Sequence, residues 1–183
     1  RTLVIGSAKR GEARELAALL VGLPWRVESG AGFPGVPAPP ETGTTFEDNA
    51  VLKARYYSER LGLPCVADDS GLVVDALDGA PGVFSARYAG ADADDAANNA
   101  RLLDELEALF WHERGARFVC CAAFVEPGGA PHVEVGSVEG HIAQDCFGDG
   151  GFGYDPLFVP EGRDCTFGEM DQAEKHKISH RGR

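Results

Sequence analysis

Three groups of residues have the types and spacing to act on a flat, phosphorylated molecule. Residues 147–156, Phe-Gly-Asp-Gly-Gly-Phe-Gly-Tyr-Asp-Pro, interleave glycines with aromatic rings and carboxylates. Glycine lets backbone approach a ligand closely and adopt φ > 0. Phe152 in such a loop offers a stacking face, which contributes roughly 1–3 kcal/mol per nucleobase in single-strand binders. Asp155 offers an acceptor for ring N–H groups. The second group is Asp68-Asp69-Ser70-Gly71. Carboxylates suit Mg²⁺, which takes oxygen ligands and leaves room for phosphates and water. They can also orient or deprotonate an attacking water. Glu41 is a further candidate ligand. The third group is Lys175-His176-Lys177-Ile178-Ser179-His180-Arg181, whose cations suit phosphate and carbonyl oxygens. Each group also has a plain structural reading: an Asp pair in a turn, an aromatic turn filling a core, a solvated basic tail. Together they meet the requirements for binding and cleaving a metal-bound nucleotide.

The elements that must position these groups follow from periodicity and punctuation. Residues 2–6 read as a buried strand. A polar turn, Ser7 to Gly11, leads into a helix with Leu16, Leu19, Leu20 and Leu23 at helical spacing, closed by Pro24. Gly and Pro dominate residues 30–43, which read as a loop. A second helix starts near Thr45, where Thr45 and Asp48 resemble a capping box. Its apolar stripe is Phe46, Ala50, Ala54, Tyr57 and Leu61. Residues 64–67 read as a short strand delivering Asp68 and Asp69 at its end, with Leu72-Val73-Val74 as another strand. Asp92 or Asp94 opens a third helix with Ala96, Ala100, Leu103 and Leu106 on one face. Residues 116–125 and 132–138 form a hairpin around Pro127-Gly128-Gly129-Ala130-Pro131. Interleaved helices and strands indicate an α/β or α+β domain with a mixed sheet.

Composition bounds the function. A chain of 183 residues fits one domain, and a formal net charge of -12 argues against a general nucleic-acid binder. A cationic cluster and a metal ion can still reverse the field at one site. No apolar run is long enough to span a membrane, and the N-terminal stretch is too short for a signal peptide. The cysteines, at 65, 120, 121, 146 and 165, lack a CxxC pair and read as reduced cytosolic thiols, with no zinc site expected.

Five segments in order resemble one family, the house-cleaning nucleoside triphosphate pyrophosphatases that act on inosine, deoxyinosine and xanthosine triphosphates. They are residues 41–50 (ETGTTFEDNA), 67–72 (ADDSGL), 79–88 (GAPGVFSARY), 150–156 (GGFGYDP) and 174–181, in which Glu174, Lys175, Ser179, His180 and Arg181 match. The resemblance implies an α/β fold, a mixed elongated sheet in a single two-lobed domain over 1–183 with a central cleft. It implies hydrolysis of ITP, dITP and XTP to monophosphate and pyrophosphate, with Mg²⁺ as cofactor and a cytoplasmic homodimer as the assembly. It assigns Asp69 as general base and metal ligand, with Asp68 and Glu41 as further metal or supporting acids. Ser70, Lys53 and Lys175 would contact the nucleotide. Phe152, Gly153, Tyr154 and Asp155 would hold the base, and His180 and Arg181 would read its edge. An Arg181 donor matches a 6-keto purine and faces the amino group of adenine donor to donor.

The N-terminal loop departs from the family pattern Ser/Thr-x-Asn-x-x-Lys/Arg. Ser7 fits, but Lys9 stands in place of Asn and Glu12 in place of a phosphate-binding cation. Lys9 and Arg10 would then have to supply the missing charge. The family continues into a C-terminal helix beyond the basic cluster, whereas this sequence stops at Arg183. A relative acting on pyrimidine or modified nucleotides, and a nucleotide-binding but inactive homologue, are the competing readings.

Overall fold

A computed structural model describes residues 1–183. Six strands form one sheet in the order β2-β1-β3-β4-β5-β6. They are β1 (Thr2–Ile5), β2 (Arg26–Ser29), β3 (Cys65–Val74), β4 (Gly115–Val125), β5 (His132–Ile142) and β6 (Phe158–Pro160). The helices are α1 (Arg10–Leu19), α2 (Phe46–Leu61), α3 (Asp95–Leu106) and α4 (Gln172–Ile178). β1 runs parallel to β2 and β3, with Val4 opposite Glu28 and Cys65, whereas β5 and β6 are antiparallel. The mixed α/β class expected from the sequence is therefore observed. By contact density the chain divides into two compact units, Arg1–Ser70 with Cys120–Gly136 and Gly71–Val119 with Ser137–Arg183.

In the first unit, α2 begins where Thr45 accepts a hydrogen bond from the Asp48 amide at 3.0 Å. Such a cap stabilises a helix by about 1 kcal/mol. The Asp48 carboxylate takes the Thr44 hydroxyl. The buried face of α2 carries Asn49, Ala50, Lys53, Ala54 and Tyr57. Ala50 and Ala54 pack on Ala67 of β3 and on Cys121 and Ala123 of β4, and Tyr57 packs on Val4 and Cys65. Small side chains at this contact let helix and sheet approach closely. Asn49 and Lys53, one turn apart on this face, are thereby turned toward β3.

In the second unit, Leu72, Val74, Leu102, Leu106, Phe118, Ile142, Leu157, Phe158 and Phe167 are among the core residues. α3 is capped by Asp94, which accepts from the Ala97 amide at 2.8 Å. Its buried residues are Asn98, Asn99, Leu102 and Leu106, whereas Ala96 and Ala100 are exposed. The face expected from the alanines is rotated because the two asparagines bond inward. Asn98 takes the Ala89 amide and donates to the Ala86 carbonyl, and Asn99 donates to the Gly153 carbonyl.

The remaining differences are local. Helix α1 ends at Leu19 and its last turn gives way before Pro24. Gly30–Gly32 form a 3-10 turn inside the expected loop. The two strands expected around Asp68 and Asp69 are one continuous strand, β3.

Candidate active site

Continuity of β3 decides how its carboxylates are used. Adjacent strand residues point to opposite faces, so Asp68 and Asp69 do not converge as a strand-end turn would have allowed. Asp69 shares the α2 face with Cys65 and Ala67. Its Oδ2 accepts from Asn49 Nδ2 at 3.0 Å, and its Oδ1 lies 3.9 Å from Lys53 Nζ. Lys53 Nζ also meets Glu41 Oε1 at 3.3 Å. Burial pushes the Asp69 carboxyl up to about 6, against the lowering effects of the Lys53 charge and the Asn49 hydrogen bond. For Lys53, burial favours the neutral amine, but the charges of Glu41, Glu12, Asp68 and Asp69 outweigh it and raise its pKa. Asp69 is thus a buried carboxylate with a pKa close to neutral, the range in which a base is both ionised and effective.

Asp68 serves the other face. Its Oδ2 accepts the Ser70 hydroxyl at 2.6 Å and lies 3.7 Å from Cys120 Sγ. Ser70 is therefore engaged by Asp68. Burial pushes the thiols of Cys65 to about 12 and Cys121 to about 11, which makes them inert as nucleophiles at neutral pH.

Glu12, in the first turn of α1, finds partners in the preceding turn. Glu12, 7% exposed, accepts the Ser7 hydroxyl at 2.9 Å on Oε2 and pairs with Lys9 Nζ at 3.2 Å on Oε1. The Lys9 ammonium is thus engaged by the carboxylate that replaces the expected cation. Glu12→Lys alone should destabilise the fold by about 1–3 kcal/mol, because it removes the Ser7 acceptor and sets two lysines side by side. Adding Lys9→Asn should recover part of that loss. Urea denaturation of the single and double variants is the measurement.

In the second unit the glycine-rich loop is fixed from both sides. The Phe152 amide donates to Asp155 Oδ2 at 3.1 Å, and the Gly153 amide to Asp95 Oδ2 at 2.8 Å. Gly151 has φ +68°, and a Cβ there would lie 2.0 Å from Asp155 Oδ2, so only glycine fits. Asp155 also meets Lys175 Nζ at 2.7 Å, a pair with side chains 4% and 1% exposed. Lys175 Nζ lies 5.2 Å from the Phe152 ring centroid and the Arg181 guanidinium 5.5 Å from it. The structure thus brings together Phe152, Asp155, Lys175 and Arg181.

Two further expected base contacts, Tyr154 and His180, are also held from within the fold. Tyr154 is a core residue whose hydroxyl donates to the Ser85 carbonyl at 2.6 Å. His180 is buried, its ring stacked on Phe118 with centroids 4.8 Å apart. Both support the loop and the C-terminal segment from behind. The basic cluster is not a solvated tail: it includes most of α4, with Lys175, Ser179 and His180 buried.

Sequence reasoning missed Asn49, Asp95, Asn99 and Ser85. Asn49 stood in the quoted segment 41–50 without a role. Asp95 and Asn99, four residues apart, lie one turn apart and both bond Gly153. Ser85 takes the Leu72 amide at 3.0 Å and donates to the Gly82 carbonyl. No spacing rule marks it.

Comparison with known proteins agrees along the chain. The model of the Ham1 family matches residues 3–183. A dITP/XTP pyrophosphatase of Geobacter sulfurreducens is 49% identical over 181 residues, covering 99% of this chain and 91% of its own. One from Geobacillus kaustophilus is 48% identical over 183 residues, covering 100% of this chain and 90% of its own. Among solved structures, a HAM1 protein from Coxiella burnetii superposes with a TM-score of 0.89 at 43% identity, covering 99% of this chain and 92% of that one. With the family model matched over nearly every residue and the fold shared, this chain belongs to the Ham1 family.

Proposed function

We propose that the protein hydrolyses dITP, ITP and XTP to the nucleoside monophosphate and pyrophosphate, clearing deaminated purine nucleotides. One observation carries the reading: Asp69, a buried carboxylate held by Asn49 and beside Lys53, sits in a chain that matches a dITP/XTP pyrophosphatase over 99% of its length. Asp69 accepts the proton of the attacking water at Oδ1, because Oδ2 is held by Asn49. Lys53 balances the Asp69 and Glu41 charges and aligns both carboxylates. Phe152 stacks on the base, and Arg181, beside that ring, donates to the 6-keto oxygen. Asp155 holds Lys175 in place.

The residues present fit Mg²⁺ in one particular mode. The donors are carboxylate oxygens, as a hard cation requires. No three acidic, His or Cys side chains gather into a cage. Mg²⁺ is commonly held by one or two carboxylates plus substrate phosphates, and Asp69 with Glu41 would fill that part. Bound there, the ion would neutralise charge on the phosphate oxygens. The same reading includes a homodimer acting in the cytoplasm, the former testable by light scattering.

Pyrophosphate release from ITP, dITP, XTP, ATP, GTP and dUTP, with and without Mg²⁺, tests the proposal. Release from the first three, little from ATP or dUTP, and none without Mg²⁺ is expected. Tight ITP binding without release would identify an inactive homologue, and a dUTP preference would identify an altered one. Arg181→Ala should narrow the ITP-over-ATP ratio of kcat/KM by on the order of tenfold or more, since sites that bond one group reject its analogue strongly. An unchanged ratio removes Arg181 from base reading.

A further inference from the structure

Asn49 lies on the buried face of α2 with no exposed surface. Its carboxamide uses both ends. Nδ2 donates to Asp69 Oδ2 at 3.0 Å, and Oδ1 accepts from the Gly43 amide at 2.7 Å. Gly43 is two residues from Glu41, which pairs with Lys53, which in turn lies beside Asp69. The contacts close a ring: Asn49, Asp69, Lys53, Glu41, the backbone to Gly43, and back to Asn49. We infer that Asn49 is a positioning residue, which selects the reacting oxygen of Asp69 and sets the depth of the Glu41 loop through one side chain. This rests on the role proposed above for Asp69.

The chemistry of the position is narrow. A carboxamide supplies one donor and one acceptor on a short stem. Aspartate would lack the donor and set a second carboxylate against Asp69. Glutamine has the groups but places them one methylene further out. The loop is fitted as closely on its other side. A Cβ at Gly43 would lie 2.5 Å from Asp48 Cβ and 2.7 Å from Asn49 Oδ1. An added methyl group at Gly43 therefore pushes on the same carboxamide from the loop.

The test compares Asn49→Leu, Asn49→Asp, Gly43→Ala and the Asn49→Leu/Gly43→Ala double variant with the wild type. Steady-state pyrophosphate release from ITP is normalised to folded protein by circular dichroism. ITP affinity is measured separately by calorimetry without Mg²⁺, where turnover does not intervene. Each single variant should lower kcat about 10–100-fold, the usual cost of losing a group that orients a reacting one, while calorimetric affinity changes less than about threefold. The double variant should lose less than the product of the two single losses, since both act on the Gly43–Asn49 contact. Unchanged kcat per folded molecule in Asn49→Leu, or additive losses in the double variant, would overturn the inference. If wild type releases pyrophosphate from ITP and Asn49→Leu does so equally, the positioning role alone fails. If wild type releases none from any nucleotide, the proposed function fails and the role of Asn49 fails with it.

Discussion

Replacing Asp69 by asparagine should slow pyrophosphate release about 10²–10⁴-fold while making the folded protein more stable above pH 6. The first effect follows from removing the only proton acceptor placed between Asn49 and Lys53. The second follows from burial. The Asp69 carboxyl is raised from 3.8 to about 6 in the folded chain. Between those values the native state holds a proton that the unfolded state has released. Stability therefore falls as pH rises through that window, and the cost is fully present above about pH 6. Asparagine carries no charge and can still accept from Asn49 Nδ2. The variant should gain about 1–3 kcal/mol at pH 7, a gain that disappears below about pH 4. Thermal melts at pH 4 and pH 7 beside single-turnover assays measure both effects. A variant with near-wild-type turnover removes Asp69 from the base role, and one less stable at pH 7 contradicts the burial argument.

Asp155→Ala should be the most destabilising single change at the glycine-rich loop. Lys175 and Asp155 are both almost fully buried and 2.7 Å apart. Removing one partner of such a pair typically costs 3–5 kcal/mol because the other charge remains in the interior, so a loss of about 3 kcal/mol or more is expected. The Phe152 amide loses its acceptor as well. Asp155→Leu combined with Lys175→Met replaces both charges with apolar groups and should be more stable than Asp155→Ala. Guanidinium denaturation ranks the variants. Neither should retain discrimination between ITP and ATP, because Phe152 and Arg181 lose the loop that orders them. A double variant no more stable than Asp155→Ala would mean that the cost arises in the loop backbone and not in the Lys175 charge.

Several of these features were legible in residue order, and the reasons differ by element. Helix α2 was readable because its cap, its stripe and its length agree locally. The loop at 147–156 was readable because glycines at that density need a reason, and Gly151 supplies one. β3 reads as two strands in residue order because Asp and Ser are poor strand formers. Tertiary partners keep the strand intact, with Asp69 bonded to α2 and Asp68 bonded to Ser70 and Cys120. α4 is not legible as a helix in residue order, because its buried residue is a lysine, Lys175, which turns inward to Asp155, twenty residues earlier. β2 and β6 are short, and their pairing depends on distant strands. Asn98 and Asn99 had no apolar signal and so lost the face of α3 to its alanines. Apart from the short strands, what stays hidden is a polar side chain whose partner lies outside its own element.

The Ser7–Glu12–Lys9 contact also constrains the order in which this loop can change. A chain with a cation at position 12 and asparagine at position 9 would reach the present arrangement by two replacements, and their order matters. Glutamate arriving first would still take the Ser7 hydroxyl and lie near the Lys53 charge, and would forgo Lys9. Lysine arriving first at position 9 would stand beside another cation. The two-cation intermediate is the worse one, so lysine at position 9 is expected to accompany or follow glutamate at position 12. A library that randomises position 12 alone would undercount the sequences this loop accepts, whereas one that randomises 9 and 12 together would recover both charge arrangements.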